Sequence, residues 1–477
     1  MNFQDNTPYD ILTEKWNPVL DHGALPNISD DYRKKVTAGL LENQEQSLRS
    51  QYLTETDGLM NSANLGMPTS FTNNGGVAGY DPVLISLVRR AMPNLMAYDV
   101  CGVQPMTAPT GLIFAMRANY GGFQYGNTTS YTEAMFQEAI PGFGGSGYTL
   151  GSTEKGICGF FGLCGSCGNS AFNNPVYLRN NATAAQFSSF RGMLTANGEG
   201  LGSGTSNPYS QFNQMAFSID RVAVQARTRA LSSNYTIELA QDLKAVHGLD
   251  AEAELANLLS TEILAEINRE IVRTIYYVAR RGTVQNDITS AGIYDLNQDS
   301  DGRWSAERFR GLTFQIEREC NAIAKETRRG KGNFVIVDSD TAAALAMSGF
   351  MSLSPGIAPQ LNVDDTQSTF AGLLNGKVRV YIDPYTPLGV NFFCAGYKGE
   401  SPYDAGLFYC PYVPLQMVRA VDPNTFQPRI GFKTRYGVVA NPYVLNGTTP
   451  DGEALTQGIN QYYRLTQVNN LHGMTQG

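Results

Sequence analysis

Between Asp250 and Arg281 the apolar residues Leu255, Leu258, Leu259, Ile263, Ile267, Ile271, Ile275 and Val278 return every three or four positions. Glu262, Glu266, Arg269, Glu270 and Arg273 fall mostly between them. That period gathers the apolar side chains on one stripe of an amphipathic helix, which at about 1.5 Å per residue runs on the order of 45 Å. Phe309 to Thr327 repeats the pattern and predicts a second amphipathic helix. Asn333 to Asp338 reads as a buried strand and Ser339 to Met347 as a third helix, which together make an α/β segment. Lys377 to Asp383 alternates as a strand does. From Gly406 to Tyr443, β-rich runs are separated by Pro411, Pro414, Pro423, Pro428 and Pro442, a pattern of twisted antiparallel sheet with edge positions.

Nearer the N-terminus, Leu12, Trp16 and Leu20 recur every four residues, and Val36, Leu40 and Leu41 sit among charges that end in Glu42 and Glu45. Residues 8–55 are therefore expected to be helical and separable from the rest of the chain, with a docked helix pair as the plainer alternative. Thr56 to Tyr80 turns to Asn, Gly, Ser and Thr, the composition of an extended arm or linker whose ordering entropy a neighbour must offset. A short helix over Val83 to Met92, stopped by Pro93, leads into an extended run broken at Pro105 and Pro109 and ending in Leu112 to Ala118. Residues 121–213 are rich in Gly, Ser, Asn and Tyr and lack periodic apolar positions, as expected of an insertion into a surface loop. The sum is an α+β chain, and 477 residues call for two or three packed domains, one inserted into another.

Composition changes this picture in one direction. The chain is 42% hydrophobic but only 16% charged, against roughly 25% charged in an ordinary soluble domain, so partners are expected to cover part of its surface. A formal charge of -8, with basic clusters no longer than Arg328, Arg329 and Lys331, argues against sequence-specific nucleic-acid binding. If the chain encloses DNA, a mildly acidic wall limits sticking, because attraction to phosphate grows with each neutralising Lys or Arg. Met1 to Tyr9 has no charged start followed by an apolar run, and no stretch reaches 18 apolar residues, so a chain neither secreted nor membrane-embedded is expected. Seven cysteines, with Cys101, Cys320, Cys394 and Cys410 set in apolar or helical sequence, fit free thiols in a reducing cytoplasm.

Raw material for catalysis is thin. Only His22, His247 and His472 occur, and neither HExxH nor GxSxG is present. His247 precedes Gly248 at the end of a helical run, where it suits a cap or dipole partner. Gly198, Gly200, Gly202 and Gly204 alternate without phosphate-loop spacing, and Gly376–Lys377 is followed by Val378, not by Ser or Thr. Cys158, Cys164 and Cys167 form the one metal-like cluster. A zinc ion or iron cluster there needs a fourth ligand from elsewhere, and a disulfide or free thiols are the other readings. The pairs Glu252 with Glu254 and Glu262 with Glu266 read as a solvated or intersubunit face. No enzyme activity and no cofactor are expected.

Six stretches resemble the major capsid protein family of T-even-type tailed phages: Val88–Gly121, Tyr235–Leu255, Thr261–Val272 (TEILAEINREIV), Gly332–Ser339 (GNFVIVDS), Phe370–Asp383 (FAGLLNGKVRVYID) and Asp422–Pro442. They are spread across most of the chain, and the likeness is weakest in residues 121–213 and after 445. The resemblance implies an HK97-type fold with these parts: 1–55, a scaffold-interacting propeptide; 56–104, an N-arm; 105–120 and 213–235, the E-loop; 121–212, an insertion domain; 236–284 and 404–443, a peripheral domain holding the long helix; 285–403 and 444–477, an axial domain. It also implies hexameric capsomers, a vertex protein, scaffold and prohead protease as partners, decoration proteins, and a virion location around double-stranded DNA after assembly in the bacterial cytoplasm. Relatives are cut after a Leu-x-Glu motif, which Leu53, Thr54 and Glu55 match, so the resemblance places cleavage before Thr56, where relatives often carry Ala. Two other readings of the chain are the pentameric vertex paralogue and a glycan-binding protein using the Tyr-rich insertion.

Overall fold

The computed structural model describes residues 8–21, 28, 30–56, 95–120, 132–134, 144, 195–200, 215–282, 290–300, 304–353, 370–387, 389–401, 403–422, 426–442 and 455–471. Two compact units emerge, one from Met1–Ile113 with Val222–Gly477 and the other from Phe114–Arg221. The expected helix over Val83 to Met92 lies outside the described residues.

The larger unit is mixed helix and strand. Its helices are α1 (Pro8–Leu20), α2 (Asp31–Thr56), α3 (Ala97–Val100), α5 (Ile237–Val246), α6 (Ala251–Val278), α7 (Ser305–Thr327) and α8 (Ser339–Met347), with α4 (Thr195–Glu199) in the smaller unit. One sheet runs in the order β1 (Gly102–Val103), β13 (Leu407–Val421), β14 (Pro428–Ala440), β5 (Arg227–Asn234). The other takes the order β6 (Ala279–Arg281), β15 (Asn460–Asn469), β12 (Asn391–Gly396), β8 (Phe334–Asp338), β11 (Val378–Asp383), β10 (Phe370–Leu374), β9 (Met351–Leu353), with β7 (Ile293–Asp295) also on β15. A third sheet joins β3 (Thr132–Ala134), β2 (Thr110–Tyr120) and β4 (Met215–Gln225), and the smaller unit holds β3 and the adjoining ends of β2 and β4.

Strand β8 shows why a short apolar run becomes a central strand. It pairs in parallel with β11 and antiparallel with β12, and all five residues are buried. Alternation then divides them: Phe334 and Ile336 join the core under α6, while Val335 and Val337 join the core under α7 and α8. Gly396 on β12 permits this packing, since a Cβ there would lie 2.2 Å from the Phe334 ring.

Helix α6 begins where Asp250 caps it by accepting from the Glu252 amide at 3.2 Å. It stops at Val278, short of the expected Arg281. Ala279, Arg280 and Arg281 form β6 instead, because parallel pairing with Asn460, Arg464 and Leu465 of β15 supplies ladder bonds that another helical turn would forgo. The buried stripe is Ala256, Leu259, Ile263, Ile267, Ile271, Ile275 and Val278; Leu258, expected on it, stands 63% exposed. Helix α7 starts at Ser305, one turn earlier than expected.

The described residues of α1 and α2 pack against this unit, as the plainer reading of a docked helix pair has it. Trp16, Leu20, Val36, Leu40 and Leu41 are buried in the same core as α6 and β13. Lys15 bridges Glu42 at 2.6 Å and Glu45 at 2.8 Å, which ties α1 to α2. The period-four pattern thus marks a contact face on this unit.

Candidate functional site

The clearest unsatisfied surface lies on β2 and β4. Phe114 and Met116 on the first strand and Met215, Phe217 and Ile219 on the second, all in the smaller unit, follow period two, and each is between 51% and 68% exposed. The alternate positions on β2, Ile113 and Ala115, are buried, as are Val222 and Val224 further along β4. A strand with one dry face normally turns polar residues outward. Here the outward positions are large and apolar, the mark of a surface that a partner covers. Helix α5 adds a second such feature: it has no buried residue, and Ile237, Leu239 and Val246 are exposed although the helix is well capped by Thr236, which accepts from the Leu239 amide at 3.2 Å.

Acidic residues of α6 work differently from the expected solvated or intersubunit face. Arg229 of β5 reaches Glu266 at 2.7 Å and Glu270 at 2.6 Å, and Tyr436 joins the same group. Glu252 pairs with Arg419 of β13 at 2.6 Å. Each of these carboxylates is held within its own unit, binding the long helix to the four-stranded sheet. Glu254 and Glu262 remain exposed. On the other side, Arg269 reaches both carboxylate oxygens of the nearly buried Asp383 at 2.7 Å, and Tyr276 donates to the same carboxylate at 3.0 Å. That pair fixes α6 to the end of β11, and being partly desolvated it contributes more than an open surface pair.

Leu53, Glu55 and Thr56 fall in the last turn of α2, so the expected cut lies at a helix end and not in an extended linker. Cys158, Cys164 and Cys167, His22 and His472 lie outside the described residues. Among the described residues no group of three His, Cys, Asp or Glu side chains is placed to hold a metal ion. No helix among them is long and apolar enough to cross a membrane. His247 caps α5, its amide donating to the Leu243 carbonyl at 3.0 Å. Cys101, Cys320, Cys394 and Cys410 are buried free thiols, each pushed up by burial to about 12. They are small apolar fillers, as their sequence setting indicates.

What sequence reasoning missed is polar and inside. Arg464 of β15 is almost fully buried, bound to Glu326 at 2.5 Å and facing buried Glu319 at 3.6 Å. Lys398 is half-buried, donates to the Tyr98 carbonyl, and is held below the usual lysine range by desolvation. No spacing rule flags such residues, since a charged residue in a polar-looking strand reads as solvated.

Strands that carry large apolar side chains at exposed positions mark a structural protein, one suited to be covered by others. Comparison with known proteins gives that class its particulars. The major capsid protein of Enterobacteria phage T6 is 36% identical over 94% of this chain and 98% of its own. That of Enterobacteria phage T4 is 36% identical over 96% and 98%, and that of Vibrio phage KVP40 is 34% identical over 96% and 100%. The capsid vertex protein of phage T4 is 32% identical over only 50% of this chain and 55% of its own. Among solved structures, the capsid of Myoviridae Phage XM1 overlays with a TM-score of 0.36 at 9% identity, covering 79% of this chain and 92% of that one, a likeness too loose to carry an argument. The family model described as "Major capsid protein Gp23" matches residues 77–468. The chain belongs to that family: it is a structural protein of the phage capsid and part of the virion.

Proposed function

We propose that this chain builds the wall of a phage head as repeated hexameric capsomers, completed by a vertex protein, around double-stranded DNA that it does not read by sequence. The observation that carries the reading is the apolar face of β2 and β4 in the smaller unit, whose five large side chains have the period and exposure of a surface made for another subunit. At roughly 25 cal/mol per Å² before association costs, many modest copies of such a contact suffice to hold a shell. The net charge of -8 leaves packaged DNA free of a strongly attractive wall.

In this reading the layout is of HK97 type. The long helix α6 with β13 and β14 makes the peripheral domain, the sheet around β8 the axial domain, β2 with β4 and β5 the E-loop, and residues 121–212 an insertion domain. The separate compactness of Phe114–Arg221 supports the last. Assembly proceeds on a scaffold in the host cytoplasm, after which the prohead protease removes residues 1–55 by cutting Glu55–Thr56. A protease needs extended substrate, so the last turn of α2 unwinds for the cut, and helix ends are where fraying is cheapest.

Intact mass and N-terminal sequencing of the protein from purified particles test this. A chain beginning at Thr56 is expected; one beginning at Met1 in mature heads refutes the processing step.

A further inference from the structure

Strand β13 loses step with β14 twice. Pro411 faces Tyr436 but Val413 faces Arg435, and the next pair is Gln416 with Lys433. Each slip places one extra residue on β13 and leaves carbonyls that the ladder cannot use. Two of these are satisfied from within the unit's own sheets and loops: Pro411 accepts from the Met106 amide at 2.9 Å and Val413 from the Thr434 hydroxyl at 3.1 Å. The other two depend on adjacent residues of α2. Tyr412 accepts from Asn43 Nδ2 at 3.0 Å, and Leu415 accepts from Gln44 Nε2 at 3.0 Å.

Around these two bonds the hairpin α1–α2 grips the segment that leads into β1. Asn43 Nδ2 also reaches the Met106 carbonyl at 2.8 Å, Tyr32 donates to the Val103 carbonyl, and Arg33 bonds Asp99 at 2.6 Å while lying over the Tyr98 ring at 5.4 Å. Leu40, Leu41 and Leu415 are fully buried at the contact. The grip is costly in one respect. Among the described residues, Gln44 Oε1 and Tyr98 Oη are buried at this contact without a hydrogen-bond partner.

We propose that the α1–α2 hairpin is a removable clamp: it holds β13 in its doubly bulged form and residues 95–106 against it, and its departure unlocks both. This rests on the reading that residues 1–55 leave during maturation. Cleavage then does more than discard a tag, because it withdraws the side-chain donors to two bulge carbonyls together with their apolar cover, and biases a packed element toward a second arrangement.

Hydrogen exchange on the full-length, unassembled chain tests the clamp. Asn43→Ala with Gln44→Ala keeps good helix formers in α2 and removes the side-chain donors to the Tyr412, Leu415 and Met106 carbonyls. Amides of Tyr412, Val413, Leu415 and Gln416 are expected to exchange at least tenfold faster, while those of β8 stay unchanged. Unchanged exchange at residues 412–416 overturns the proposal and leaves the hairpin a passive cover. Should the double variant unfold, Asn43→Ala alone is expected to speed Tyr412 and Val413 but not Leu415; acceleration spread evenly over the unit overturns the proposal as well. The measurement uses uncleaved chain, so it stands or falls apart from the N-terminus found in mature particles.

Discussion

Strand β8 and the pair β2 with β4 draw on the same residue types and put them to opposite use. In β8 five consecutive residues are buried, because neighbours in the sheet and helices on both faces belong to the same chain. In β2 and β4 the apolar residues alternate, and Phe114, Met215, Phe217 and Ile219 look outward, each more than half exposed. The difference teaches that hydrophobic content alone does not say where a core is. The period says how many dry faces a strand has, and the structure says whether the chain itself supplies the cover.

That contrast can be broken or sharpened by substitution. Phe334→Ala in β8 empties space in the core under α6, and is expected to destabilise the chain by about 3–5 kcal/mol, read as a lowered urea midpoint and loss of soluble subunit. Asp383→Asn at the end of β11 weakens the tie to Arg269. Arg269 is partly exposed, so solvent screening brings the expected loss to about 2 kcal/mol, with exchange rising first at Tyr385 and Thr386.

The four buried thiols give a smaller, pH-dependent effect. Burial raises each from 9.0 to about 12, so the folded chain holds these protons more tightly than the unfolded chain does. The contribution is therefore complete below about pH 9 and is lost as pH climbs toward 12, the regime in which the urea midpoint should fall. Maleimide labelling at pH 8 is expected to spare all four until denaturant is added.

Smallest on stability, and most telling, is the exposed face. Phe114→Ser with Phe217→Ser should change the subunit's urea midpoint by no more than about 0.5 kcal/mol, as surface positions do. Particle yield, followed by sedimentation, should nonetheless collapse. A large loss of subunit stability would show these rings to be core, and unchanged particle yield would remove them from assembly.

Much of the framework was legible because its physics is local. The three-and-four spacing of Ile263, Ile267, Ile271 and Ile275 needs no partner to be read, and the prolines of β13 and β14 announced irregular antiparallel strands. The misses share a tertiary cause. Ala279 to Arg281 leave the helix because β15 is there to pair with them, and β15 itself, carrying Asn460, Arg464 and Thr466, looks solvated until Asn460 is seen donating to the Gly406 carbonyl at 2.9 Å. Leu12, Trp16 and Leu20 marked a helix face, but spacing could not tell a detachable segment from a docked one. The apolar face of β2 was half legible: Leu112 to Ala118 read as an extended run, while exposure is set by the tertiary fold.

The place of β15 in the eight-stranded sheet bears on how the subunit comes into being. Residues 460–469 lie between β12 on one side and β6 and β7 on the other, so β6 and β7 have no sheet to join until they arrive. A ribosome adding roughly 5–20 residues per second needs on the order of 4–15 s to go from the end of β12 to the end of β15. Throughout that interval β12 has only β8 as its neighbour, and the core under α7 lacks Val468. The nascent chain is then a ready target for chaperones, and expression too fast for chaperone supply should lose subunits to aggregation.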